Sequence, residues 1–362
     1  MIRKIYLVAL TLVIGLYSNN SSAQLFRLNF TPAAGMNALV AAGIEAEVQK
    51  IEDEINEGLP SAATPDRMLE GMANSSVMAG KGIGSDYASN MSVFLIGAGV
   101  GVGADLEKNE DADADLSGAG VQGGIILGTN LGWIDSATFM GLDSDRLNVF
   151  INFMKYKHEM ETGDTHAKID LASYGIHFSY DWIKGGGNVL LGWGGVKVHW
   201  GYEYNKTVLK FDSEITEDLS YTPTAGTTYS SNIVANPFAT IDVSTQSIPL
   251  EISSSIQILY FVSLYGGLGA DYNIGTATGK GDLNSTTADV TCVGGACSPG
   301  AGDVGDIDTE ANIDGKGKVN PFLFRGFGGV QLNLPFIRIF GQVDKAFGND
   351  LIGATVGVRL AF

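Results

Sequence analysis

A transmembrane antiparallel β-barrel of about ten strands, with twelve as the alternative count and a short helical segment ahead of it, is the fold this 362-residue chain predicts. Three observations carry that expectation. The chain opens on a secretory leader, it alternates apolar and polar residues over repeated stretches of ten or more, and its last strand stays apolar on one face to the final residue, Phe362. Residues of one parity share a face of a strand. In a barrel that crosses a bilayer, one face meets hydrocarbon and the other the lumen.

The leader, "MIRKIYLVALTLVIGLYSNNSSAQ", sets Arg3 and Lys4 before an apolar run from Ile5 to Leu16, with Ser21 and Ala23 at minus three and minus one of a cleavage site. This pattern marks residues 1–23 as a signal peptide and Gln24 as the start of the mature chain. No Cys follows the cleavage site, and no later stretch reaches the roughly 18–20 apolar residues of a membrane helix. Glycine supplies 49 residues, a level that disfavours a helical protein. The formal net charge of −18 becomes −20 once Arg3 and Lys4 leave with the leader. A surface that acidic repels phosphates, so no nucleic-acid partner is expected.

Residues 24–89 form a segment of their own. Val40, Ile44, Val48, Ile51 and Ile55 recur at helical spacing and stop before Gly58 and Pro60. A second helix is expected from Thr64 and Pro65, with Met68, Leu69 and Met72 on one side. An apolar stripe needs a partner. A periplasmic hairpin packed on itself or the barrel base, a plug inside the lumen, and self-association are the three readings of this segment.

The barrel is expected over residues 90–362, in segments 91–104, 118–128, 147–158, 169–182, 189–204, 247–258, 262–274, 320–334, 336–346 and 351–362. The clearest sets Ala172, Tyr174, Ile176, Phe178, Tyr180 and Trp182 against Ser173, Gly175, His177, Ser179 and Asp181. In the first two segments glycine blurs the parity. The inner parity predicts a lumen lined by His177, Asp181, Lys197, His199, Glu203, Glu251, Arg325, Arg338 and Arg359. Long connections at 105–117, 159–167, 207–242 and 276–317 fall on one side with the short 347–350, and short turns at 184–188, 259–261 and 334–336 on the other. The exception, 129–146, has room for a further strand pair, which gives the count of twelve. A secreted sandwich of strands also alternates, but it would not need Tyr and Trp near its strand ends.

The leader, the alternating segments, the loop asymmetry and the terminal "VRLAF" resemble the Gram-negative outer-membrane β-barrel class, and the resemblance covers residues 90–362. It implies contact with outer-membrane lipid and insertion by the barrel-assembly machinery, with Phe362 as part of the recognised signal. It assigns no particular family.

Chemistry-bearing motifs are few. Cys292 and Cys297, in "CVGGAC", suit a small disulfide loop in an oxidising compartment. Asp111, Asp113 and Asp115, and again Asp306, Asp308 and Glu310, have the alternate spacing of a calcium loop, but the first set lacks the glycine at position six and the glutamate at twelve. Solvated acidic loops are the plainer reading, and no cofactor is expected. Asp164 and His166, in "GDTH", resemble the Asp-x-His pair of omptin-type surface proteases, yet further acidic partners cannot be placed and no enzyme is expected. Two functions remain. One is surface recognition or adhesion, with loops 207–242 and 276–317 meeting a host or matrix ligand. The alternative is a small porin-like channel for small polar solutes; ten strands favour the first, because a barrel of that width is largely filled by its own side chains.

Overall fold

The computed structural model describes residues 26–32, 38–57, 65–88, 94–108, 114–134, 138–139, 141–162, 165–188, 190–213, 215–221, 228–285, 288–289, 291–293, 305–311 and 314–362. Ten long strands build the barrel: β1 (Phe94–Lys108), β2 (Ala114–Asn130), β3 (Leu147–Thr162), β4 (Thr165–Gly187) and β5 (Leu191–Ser213). They are followed by β6 (Thr228–Ile258), β7 (Val262–Ser285), β8 (Phe322–Asn333), β9 (Ile337–Ala346) and β10 (Leu351–Ala361). Each pairs antiparallel with the next in the chain, and β10 returns to β1 in a register that sets Val356 opposite Val100 and Leu360 opposite Ile96. The ring is closed at ten strands, one for each alternating segment of the sequence.

Among its described residues, the connection that suggested twelve holds no barrel strand. It contains a short hairpin, Thr138–Phe139 with Leu142–Asp143, between 3₁₀ turns at Leu131–Trp133 and Ser144–Arg146. Lys184 at the end of β4 donates to the Asp145 carboxylate at 2.9 Å, and this bond holds that carboxyl below its usual range.

The short turns are built by local chemistry. Asn188 accepts the N–H groups of Leu190 and Leu191 on its side-chain oxygen, both at 3.0 Å. Leu259 and Tyr260 both take positive φ, 51° and 65°, and Phe261 N–H closes the turn on the Ile258 carbonyl at 3.2 Å. Two left-handed central residues make a type I′ turn, whose twist matches that of the flanking strands. In β5 the outward residues change parity between Trp193 and Val196. Gly195, at φ +82°, bulges there, and the register with β6 slips between Ser254 and Ile256.

Strands β5, β6 and β7 run 23, 31 and 24 residues, against the roughly 9–11 that cross a bilayer. Much of 207–242 and 276–285, expected as loop, is therefore ladder that continues past the apolar belt, with Ala235 still opposite Ser285. Outside the bilayer neither face needs to be apolar, so the alternation that marks a membrane strand fades while pairing continues.

On the barrel's outside, Val100, Ile125, Ile151, Tyr174, Leu250, Leu268, Phe324, Val343 and Val356 stand exposed on parity positions that face away from the lumen. In water such a surface would be unfavourable; in lipid it is the required one. We expect a gel-mobility shift: a ring with no free edge keeps its hydrogen bonds in dodecyl sulfate until boiled. Identical mobility of boiled and unboiled protein would contradict the closed ring.

Helix α1 (Ala38–Glu57) lies at the long-loop end, beside the strand Phe26–Pro32, which pairs with Gly305–Ala311. Helix α2 (Pro65–Ala79) enters the ring from that same end, where Asp66 accepts the Lys316 N–H at 2.7 Å. The described parts of the segment thus lie at the long-loop end and in the lumen, rather than as a hairpin at the short-turn end. The stripe of Leu69, Ala73 and Val77 finds its partner in the inner wall, at Val243, Ala277 and Val319. On the opposite side glycine makes room. A Cβ on Gly101 would lie 2.1 Å from the Ala79 carbonyl oxygen, and one on Gly103 2.1 Å from that of Ser75. The glycines that blur the alternation in β1 and β2 are the trough in which α2 lies.

Candidate functional site

From Gly80 the chain leaves α2 and continues through the lumen to Ala88, and its polar groups meet the inner wall at named points. Lys81 donates to Glu203 at 2.9 Å and to Ser247 Oγ at 2.8 Å, with Asp271 3.6 Å away. Its own carbonyl accepts the Thr355 hydroxyl at 2.6 Å. Arg325, 0% exposed, gathers three carboxylates: Nη1 donates to Asp344 at 2.6 Å, Nε to Asp271 at 2.9 Å, and Nη2 to Glu251. Glu251 in turn accepts the Tyr87 hydroxyl at 2.8 Å. The Tyr87 ring stacks on Tyr265 at 5.5 Å and tilts against Phe327 at 4.8 Å. Asp86 sits between Arg338 at 3.2 Å and Arg359 at 3.5 Å. Arg359 also donates to the Ser85 carbonyl and lies over the Phe340 ring, 3.7 Å from its centre.

This is a chain of buried ion pairs linking a central segment to its surrounding wall. Charges cost several kcal/mol each to bury, and pairing with good hydrogen-bond geometry is what offsets that cost. The arrangement therefore couples the seating of residues 80–88 to the integrity of six strands, β5, β6, β7, β8, β9 and β10.

All nine residues expected on the inner parity face inward. His177, Lys197, His199, Glu203, Glu251, Arg325 and Arg359 are buried, while Asp181 and Arg338 keep partial exposure. His177 meets Asn152 at 3.1 Å and lies 3.8 Å from Glu203; His199 meets Ser253 at 2.8 Å. Lys197 lies 3.6 Å from Asp181. What sequence reasoning did not supply is Lys81, Asp86, Tyr87, Asp271 and Asp344. The last two share the inner parity of their strands and could have been read from it. The first three sit in "GKGIGSDY", which has no periodicity to read.

The other candidates contribute less. Cys297, Asp111, Asp113 and Asp164 lie outside the described residues, as do the side chains of Cys292, Asp115, Asp306, Asp308 and Glu310. His166 is exposed, 3.5 Å from Glu161. Phe362 is 57% exposed on the outward parity, and its backbone pairs with Phe94, N–H to carbonyl at 3.0 Å.

An antiparallel ring with an apolar exterior, short turns at one end, long connections at the other and a polar interior defines an outer-membrane β-barrel, here one whose lumen is filled by its own chain. Residues 23–362 match the Lsa36-like family, and the chain belongs to it. Among solved structures it is similar to the transport unit of the autotransporter AIDA-I from Escherichia coli, with TM-score 0.31 and 11% identity over 83% of this chain and 100% of that one. The translocator domain of autotransporter NalP from Neisseria meningitidis gives 0.31 and 9%, over 91% and 100% of the two chains. Ail, the attachment invasion locus protein of Yersinia pestis, gives 0.24 and 11%, over 75% and 100%. A shared function does not follow from TM-scores of that size. No curated protein matches the chain.

Proposed function

We propose that this outer-membrane barrel is a recognition scaffold whose work is done at its long-loop end, by adhesion to host or matrix components. The observation that carries the reading is the filled lumen: α2 and residues 80–88 occupy the space a solute would need, and ion pairs hold them there. The extended ladders of β5, β6 and β7 support the same reading, because they raise a rigid platform above the bilayer. Its charge gives the partner's chemistry. Residues 207–242 carry five carboxylates against one lysine, and 276–317 carry seven against two lysines. Such a surface suits partners with basic patches, and attachment that weakens as salt rises.

The test replaces residues 286–304 with a four-residue turn, which removes the short pairings of Ala288–Asp289 and Thr291–Val293 but leaves the strand Gly305–Ala311 paired with Phe26–Pro32, in a region where change is tolerated. The barrel should remain heat-modifiable, and binding to immobilised matrix proteins should fall by roughly tenfold or more. Retained binding, together with ion-selective conductance of the wild type that changes in Arg338→Glu, would replace recognition with the channel reading.

Assembly makes a separate demand. Phe362 ends the outward parity of the strand that closes the ring, and we propose that the barrel-assembly machinery reads this end. Deletion of Phe362 should lower outer-membrane yield and leave periplasmic aggregates on fractionation; an undiminished yield would remove Phe362 from that role.

A further inference from the structure

Three of the four short-end connections are tight turns, at 188–190, 259–261 and 334–336. In the fourth, the described residues 138–139 and 141–146 lie against the outside of the barrel. Asn130 donates to the Asp145 carbonyl at 3.1 Å, Lys184 donates to the Asp145 carboxylate, and Trp133 Nε1 donates to Thr129 at 3.0 Å. Tethered this way, the hairpin holds Leu142 over the outer wall. A groove of about 300 Å³ lies between them, lined by Leu142, Tyr180, Trp182, Val198 and Trp200. Beside the groove Phe178 stacks on Trp200 at 5.6 Å, with 15° between their planes, and so steadies one of its lining rings. Trp182 remains 59% exposed.

We infer that this groove is a binding site for one acyl chain of a glycerophospholipid from the leaflet at the short-turn end. The location selects the occupant. Leu147, where the folded-back connection rejoins the wall, pairs with Tyr180, so the groove lies at the level where the neighbouring strands end, at the short-end edge of the apolar belt. An apolar cleft there continues the lipid-facing belt up to the charged connection. Two cations flank the lining in sequence, Lys184 two residues after Trp182 and Arg146 four after Leu142. Each already has an acidic neighbour, Asp145 at 2.9 Å and Asp143 at 3.4 Å, and a lipid phosphate would share them. The folded-back hairpin distinguishes the site from the rest of the belt: lipid elsewhere touches a convex wall alone, whereas here an acyl chain would touch the wall and Leu142 of the hairpin together.

Native mass spectrometry after detergent exchange tests this directly. Wild type should retain one phospholipid per barrel. Leu142→Asp and Trp182→Ala should each lose at least about fivefold of that occupancy, since a polar or missing wall removes apolar contact. Both substitutions sit outside the lumen, so the heat-dependent gel shift should not change, and Phe139→Ala, which does not line the groove, should keep the lipid. A wild type carrying only detergent adducts, or equal lipid retention in Leu142→Asp and Trp182→Ala, overturns the inference.

Discussion

Arg325→Met destabilises the barrel by about 3–5 kcal/mol, the cost expected when one partner of a buried ion-pair network is removed and the others stay charged. The side chain is wholly buried, and Glu251, Asp271 and Asp344 all direct a carboxylate at it. Without the guanidinium, Lys81 is the nearest cation, and it is already shared between Glu203 and Asp271. Like charges then face one another in a space closed to water. The check is the midpoint of urea unfolding in micelles, followed by the gel shift. Arg325→Lys should recover only part of the loss, because an ammonium cannot reproduce the fork that serves three carboxylates at once. Arg325→Met combined with Asp344→Asn should be less damaging than the single change, and a double-mutant cycle gives the coupling. A shift within 1 kcal/mol for Arg325→Met would mean that the network contributes little.

The second large effect is on conductance. Gly101→Leu with Gly120→Leu puts side chains where α2 now lies. The Ala79 carbonyl oxygen is 2.1 Å from a Cβ at Gly101, and the Ser75 and Ser76 backbone 2.6 Å from one at Gly120. Backbone atoms cannot yield as a flexible side-chain tip can, so α2 must leave its seat. The ring itself is held by inter-strand bonds that neither change touches. Wild type should be electrically silent in planar bilayers, and the variant should show discrete steps with a leak about tenfold or more above it, through a narrow ten-strand lumen. A silent variant whose Ser75→Cys derivative stays protected from maleimide would mean that the wall had shifted and α2 had kept its place.

The ten membrane strands were legible because hydrocarbon outside and polar packing inside impose opposite demands on the two faces of one strand. Ala172 through Trp182 obey that rule without a break, and so does β10 down to Phe362. Legibility failed wherever one demand was relaxed. Beyond the bilayer, β6 continues through "NPFATIDVSTQS" as paired ladder whose outward face, Phe238, Thr240, Asp242, Ser244 and Gln246, is mixed, while Ile241 and Val243 turn inward onto α2. At Gly194 and Gly195 a bulge moves the outward residues by one position, which pattern counting reads as noise. In β1 and β2 the inner residues shrink to glycine because backbone lies against them, and the partner responsible is distant in sequence. The site divided on the same line. Arg325, Glu251 and Glu203 announced themselves by parity, whereas Lys81, Asp86 and Tyr87 take their place from a path through the ring that no local pattern encodes.

That path bears on how the protein comes into being. The ring closes at β1 and β10, whose paired residues are separated by most of the chain, and loop-closure entropy makes such a seam slow to form unaided. The inserted segment touches both sides of the seam. It packs against Gly101 and Gly103 of β1, while Thr355 and Arg359 of β10 donate to the carbonyls of Lys81 and Ser85. Residues 65–88 therefore tie the seam from within: the first and last strands are held to one another by their own ladder and, independently of it, by a shared inner segment.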